Sequence, residues 1–237
     1  MQKYLRLLLL VSAPLVGLSQ ENSFFELSDT FFQKYVDEDG GVDYTTIKSN
    51  RQMMNDLVSK IAEFDLDGAS EPVQKAFLIN AYNILVIQQV VDLLPLKSPL
   101  DNEAFFNGIS HPVAGKDLTL DQLEKETLYK MFPDPRLHFV LVCAAKSCPP
   151  LAQMAFVPGS LEQQVEERTK WVMNLPWFIL VNDSTVQFSQ IFNWYSADFG
   201  GTEESLLKYV NRYRDGEIKG KDIGYYEYDW TLNAKDI

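Results

Sequence analysis

Apolar positions along the chain recur with different periods, and each period predicts an element. Phe24, Phe25, Leu27, Phe31, Phe32, Tyr35 and Val36 return at near-helical spacing, predicting an opening helix with a wide apolar face. Pro72 suits the first turn of a long helix from Val73 to Leu94. Asn80, Asn83, Gln88 and Gln89 interrupt its apolar run from Ala76 to Val91, so this helix is apolar on most sides and belongs at the centre of the fold. Ser160 to Met173 reads as an amphipathic helix. His111 to Leu120 reads as a hairpin turning at Ala114-Gly115-Lys116. Thr119 and Gln122 then form a capping box for a helix ending before Pro133. Phe178–Val181 and Thr185–Phe188 predict a second hairpin, joined through Asn182-Asp183-Ser184. Leu137 to Cys143 is short, almost continuously apolar and rich in β-branched and aromatic residues, which predicts a strand buried on both faces.

No repeat, low-complexity tract or long linker divides these elements. The expectation is a single α+β domain, with helices packed on a small sheet around one long buried central helix. Two acidic stretches suggest calcium loops, but neither carries the ligand set. From Asp37, position 12 is Lys48 and position 6 is Val42; from Asp65, position 12 is Ala76. Both read as acidic turns.

The first residues differ in kind from the rest. Lys3 and Arg6 precede the apolar stretch Leu7 to Leu18, with small residues at Gly17 and Ser19, the pattern of a secretory signal peptide over residues 1–19. That leaves residues 20–237 as the domain and predicts an exported protein, periplasmic or secreted. A lipid-anchored variant would need a cysteine at the cleavage site, and the first cysteine is Cys143. Beyond this segment no long apolar run is expected to span a membrane.

Composition narrows the function classes. The 237 residues carry 21 Lys+Arg against 33 Asp+Glu, a net charge of −12, with 46% hydrophobic residues. That balance suits a folded globular domain. Without a basic cluster it argues against a nucleic-acid partner, because phosphate binding needs concentrated positive charge.

Candidate chemistry is confined to a few side chains. The chain has two cysteines, Cys143 and Cys148, and two histidines, His111 and His138. A nucleophilic cysteine needs a base within reach and a group to orient that base. On a straight strand His138 and Cys143 would face opposite sides, forbidding a direct dyad. Cys148 lies in the following loop, Ala144 to Pro150, which would have to return most of ~16 Å to reach His138; a bulge near Val142 would be the other repair. Structural cysteines, a disulfide and a redox switch remain open, although the spacing is Cys-x₄-Cys rather than the redox Cys-x-x-Cys. Lys146 favours a thiolate nearby. Ser147 lacks any Gly-x-Ser-x-Gly elbow. The Cys and His spacing matches no zinc template, and neither metal nor cofactor is expected. Asn80 and Asn83 share one face of the long helix at i,i+3 beside Tyr82. They serve either as ties to neighbouring backbone, the better expectation, or as ligand contacts. The aromatics Trp171, Trp177, Trp194 and Trp230 read mostly as core.

These residues carry a resemblance. Asn80-Ala-Tyr-Asn83, Leu118-Thr-Leu-Asp-Gln-Leu-Glu124, Asp134-Pro-Arg-Leu-His-Phe-Val-Leu-Val-Cys143, Ser147-Cys-Pro149, Ile191-Phe-Asn-Trp-Tyr-Ser-Ala-Asp-Phe199 and Tyr228-Asp-Trp-Thr-Leu-Asn233 together resemble the domain of unknown function 547 family, over about Phe24 to Asn233. The family usually has a His after the residue matching Glu124, where this chain has Lys125. The resemblance implies a fold and candidate residues, not a reaction.

Taken together, the leading expectation is a thiol-dependent hydrolase or acyl-transfer enzyme. Cys148 or Cys143 is its nucleophile, His138 its base, and Glu124 or Asp198 orients the imidazole. Asn80, Asn83, Arg136, Ser147 and Asp198 are the substrate-binding candidates, for a small-molecule, peptide or glycan ligand. The alternative is a non-catalytic peptide- or glycan-binding or scaffold module. Its cysteines are structural, and its contact surface would be the aromatics around Trp194, Tyr195 and Phe199.

Overall fold

The computed structural model of the protein describes residues 13–235, with side chains from residue 22 onward. The expected signal peptide falls largely outside the described residues. Helix α1 (Ala13–Tyr35) leads through the acidic turn at Asp37 into α2 (Tyr44–Ser49) and α3 (Gln52–Glu63), followed by α4 (Glu71–Leu93). A hairpin of β1 (Ser110–Val113) and β2 (Lys116–Thr119) comes next, then a π-helical stretch, Gln122–Leu128, continuing into the short α5 (Tyr129–Met131). The second half holds α6 (Leu161–Met173), β3 (Ile179–Val181), β4 (Thr185–Phe188), α7 (Gln190–Trp194), α8 (Glu203–Tyr213) and β5 (Asp222–Tyr225).

Helix α4 is the axis of the molecule. Lys75 to Ile87 and Gln89 to Val91 are all buried along it. It has the length and hydropathy of a membrane span, yet 83% of its apolar window is covered by the protein itself, as in the core helix of a soluble fold. It starts two residues earlier than the apolar pattern suggests, with Pro72 in its first turn. Phe77 stacks on Phe64 at 3.8 Å between ring centroids and meets Phe24 of α1 at 5.1 Å, so the opening helix is held against the axis by aromatic packing.

The sheets are small and peripheral. β1 and β2 pair antiparallel, with Val113 opposite Lys116 across the Ala114-Gly115 turn. Both turn residues have positive φ, as a two-residue hairpin of the native twist requires. Thr119 Oγ1 accepts from Gln122 N–H at 3.2 Å and Gln122 Oε1 accepts from Thr119 N–H at 3.0 Å, the reciprocal capping box. The other sheet has the order β3-β4-β5, antiparallel between β3 and β4 and parallel between β4 and β5.

The expected strand over Leu137–Cys143 is not formed. Asp134 caps a 3₁₀ helix, Pro135–Phe139, by accepting from Arg136 N–H at 3.0 Å, with Pro135 in its first turn. The chain then runs irregularly to Cys143. Leu137 through Val142 are all buried, and burial on every side erases the period that separates a strand from a helical turn. In place of a strand partner, the backbone pairs with a side chain: Asn83 Nδ2–H donates to Val140 C=O at 2.9 Å and Asn83 Oδ1 accepts from Val142 N–H at 3.1 Å. Asn80 does the same for Phe156, at 2.7 and 3.0 Å. The two amides of α4 thus act as short pieces of ladder, satisfying buried backbone that no strand reaches.

Candidate functional site

Cys143, Cys148 and His138 open on one cavity of about 350 Å³, with Tyr82, Glu124, Leu141, Ile191, Trp194, Tyr195, Tyr228 and Trp230 also in its wall. The missing strand makes this possible. Because the 3₁₀ turn replaces extended backbone, His138 and Cys143 are not held on opposite faces of a sheet.

The loop bearing the cysteines is tied down by the chain's last residues. Lys146 N–H donates to Thr231 C=O, Ser147 N–H to Asp229 C=O, and Asn233 N–H to Ala144 C=O. Ser147 Oγ accepts from Asp229 N–H at 2.8 Å. Ala144, next to Cys143, has φ +59°, a left-handed conformation costly for a residue with a Cβ. Strain of this kind persists only where surrounding contacts over-determine it, and here they are the strap.

Both cysteines are free thiols. Cys143 N–H donates to Cys148 Sγ at 2.9 Å, and the Tyr228 hydroxyl lies 3.2 Å from Cys143 Sγ. Burial pushes the Cys143 thiol up, but hydrogen bonds from Cys148, Tyr228 and the Ala145 backbone outweigh it, leaving its pKa below the ordinary thiol value. Cys148 is driven the other way, by burial and by its neighbour's charge. Of the pair, Cys143 is the one that ionises.

His138 Nε2 lies 2.7 Å from Asp198 Oδ2. Its ring sits between Tyr195 at 4.2 Å and Tyr129 at 5.0 Å, with Phe199 at 5.6 Å. Burial lowers its pKa more than Asp198 raises it, so the imidazole is neutral at neutral pH. With the Nε2 proton donated to the carboxylate, Nδ1 holds the free lone pair. Glu124 does not fill that orienting position. It accepts from the Tyr82 hydroxyl at 2.9 Å, and burial raises its pKa. Its place is set by the π-helical register, in which Tyr129 N–H reaches back to Glu124 C=O.

Other expected contacts lie elsewhere. Asn80 and Asn83 spend their amides on backbone and do not line the cavity. Ser147 is absorbed by the strap. Arg136 pairs with Asp134 at 2.7 Å and Glu162 at 2.7 Å, joining the 3₁₀ turn to α6 away from the cavity. The tryptophans also depart from expectation: Trp171 and Trp177 are exposed, and Trp194 is 48% exposed at the cavity mouth. Tyr228 was legible only as part of the Tyr228-Asp-Trp230 resemblance, and no local pattern pointed to its contact with Cys143. Among the described residues no cluster of three His, Cys, Asp or Glu is gathered to hold a metal ion.

The fold is a single α+β domain organised on one buried helix. Residues 66–171 match the family described as a protein of unknown function, DUF547. The match takes in His138, Cys143, Cys148 and Glu124, while Asp198, Trp194 and Tyr228 come from the chain beyond it. Neither the curated proteins nor the solved structures contain a match.

Proposed function

We propose that this domain is a thiol-dependent hydrolase or acyl-transfer enzyme of an exported protein. Cys143 is its nucleophile, His138 its base and Asp198 the group that holds the base. The observation that carries the reading is that His138, held by Asp198 at 2.7 Å, lines the same cavity as the more acidic of two free thiols. The Cys143 proton passes to His138 Nδ1 through water in the cavity, and the sulfur attacks a substrate carbonyl. The tetrahedral intermediate collapses to a thioester as the imidazolium protonates the leaving group. A second nucleophile, water or an acceptor amine or alcohol, gives its proton to His138, attacks the thioester and restores the thiol. The neutral imidazole and the pre-set Nε2 proton both favour Nδ1 as the base.

Mass-resolved alkylation by iodoacetamide over about pH 5 to 9 tests the reading. Cys143 is expected to react ahead of Cys148 and below the ordinary thiol range near ~8.5, and to slow in His138→Ala. Thiols that react only after unfolding would overturn it. They would leave the second reading, a binding module for a peptide or glycan, which the exposure of Trp194 at the cavity mouth favours.

A further inference from the structure

The wall of the cavity carries a chemistry that the thiol does not explain. Trp194, Tyr228 and Trp230 form one aromatic cluster, with ring centroids 4.9 Å apart for Trp194–Tyr228, 4.8 Å for Tyr228–Trp230 and 5.8 Å for Trp194–Trp230. It runs without a break from the half-exposed Trp194 to the Tyr228 hydroxyl on Cys143 Sγ. Aromatic faces of this kind attract cations, and among the described residues no Lys or Arg lies over any of the three rings.

Charge in the wall has the complementary sign. Glu103, Asp121 and Glu124 line the cavity, and Lys125 is the one lysine or arginine among its lining residues. Lys125 is paired with Asp121 at 2.9 Å, while Glu103 and Glu124 have no basic partner at ion-pair distance among the described residues. Glu124 is half-buried, and its carboxylate accepts from the Tyr82 hydroxyl. An anionic substrate would meet two carboxyl groups without a basic partner and three electron-rich rings.

We propose that the cavity binds a cationic substrate, in which an ammonium or guanidinium group lies against Trp194 and Trp230 and is drawn by Glu103 and Glu124, with its carbonyl beside Cys143. A lysine- or arginine-bearing peptide or amide has this chemistry. The inference rests on the thiol reading only for the identity of the reacting group; binding of the cation does not need the thiol.

Binding is therefore measured on the Cys143→Ala protein, by calorimetry, with three probes: Nα-acetyl-lysine methylamide, its norleucine counterpart and its glutamate counterpart. The lysine compound is expected to bind about tenfold tighter than the norleucine compound, the range of a cation on an aromatic face, and the glutamate compound weakest of all. Trp194→Leu and Glu103→Gln should each weaken the lysine compound several-fold, and Trp194→Phe should restore most of the loss. Raised salt should cut the preference, because Glu103 is solvent-exposed. Equal binding of lysine and norleucine compounds, or binding of neither, overturns the proposal. Alkylation of the unsubstituted protein separates the two readings. An inert Cys143 with lysine bound would defeat the enzyme and leave this site standing; a reactive Cys143 without cation preference would do the reverse.

Discussion

His138 Nε2 and Asp198 Oδ2 lie 2.7 Å apart although sixty residues separate them along the chain. The His138 side chain is 4% exposed, while that of Asp198 is 43% exposed. Burial pulls the His138 pKa down and Asp198 resists it. Asp198→Asn is therefore expected to lower the His138 pKa further, followed by the imidazole proton shifts in NMR. A rise or no change would mean that the carboxylate does not act on the ring. The same variant should slow Cys143 alkylation at neutral pH, because the amide side chain can hold the other tautomer.

Tyr228 is the hydroxyl on the Cys143 sulfur, at 3.2 Å. Tyr228→Phe keeps the ring among Trp194 and Trp230 and removes only that oxygen. A hydrogen bond to a charged group contributes about 1.5–3 kcal/mol, so the thiol pKa should rise and the neutral-pH alkylation rate should fall about tenfold or more. Kinetics across pH read both. An unchanged profile would assign the acidity of Cys143 to Cys148 and the Ala145 backbone alone.

Asn83 replaces a strand partner for Val140 and Val142. Asn83→Ala leaves one buried carbonyl and one buried N–H without partners, which costs about 2–4 kcal/mol in total. Urea unfolding measures it. Asn83→Asp should be no better, since a carboxylate can accept from Val142 but cannot donate to Val140. A loss under about 0.5 kcal/mol would show that water takes over the amide's role.

Ala144 is a left-handed alanine beside Cys143. Ala144→Gly removes the Cβ strain, about 1–2 kcal/mol, against the extra backbone entropy of glycine, about 0.5–1 kcal/mol. The expected result is a protein as stable as the parent or up to about 1 kcal/mol more so. Ala144→Val should be clearly destabilised. Thermal unfolding of the pair decides it.

Both histidines are buried with lowered pKa values, His111 Nε2–H donating to Gln89 Oε1 at 2.6 Å and His138 paired with Asp198. A lowered folded pKa means that the unfolded chain takes up its proton first. The stabilising effect is thus complete above the unfolded value near ~6.5 and is lost as pH falls toward the folded values. Each histidine contributes a slope of up to about 1.4 kcal/mol per pH unit in that window. Glu124, with its raised pKa, opposes the loss by binding its proton earlier in the folded state. Urea midpoints measured from neutral pH downward should fall, and fall less in His111→Gln; a flat profile would contradict the burial of both rings.

The axis helix was legible because its information is local: an apolar run long enough to be buried on all sides, and a proline suited to the first turn. The Thr119–Gln122 capping box and both hairpins were legible for the same reason, each set by residues within a few positions of one another. Leu137 to Cys143 was not, because burial on all sides leaves no period to read, and Asp134-Pro135 at its start decided for a 3₁₀ turn. The candidate site repeats that division. The sequence singled out His138, Cys143, Cys148 and Glu124, and held Asp198 and Glu124 as rival partners for the imidazole. Tertiary packing chose Asp198, gave Glu124 to Tyr82, brought Tyr228 to Cys143 across eighty-five residues and turned Trp194 outward. Chain periodicity constrains what neighbours along the backbone can do. Contacts between distant side chains follow from how α4, the 3₁₀ turn and the C-terminal strap fill space together, and only the folded arrangement holds that information.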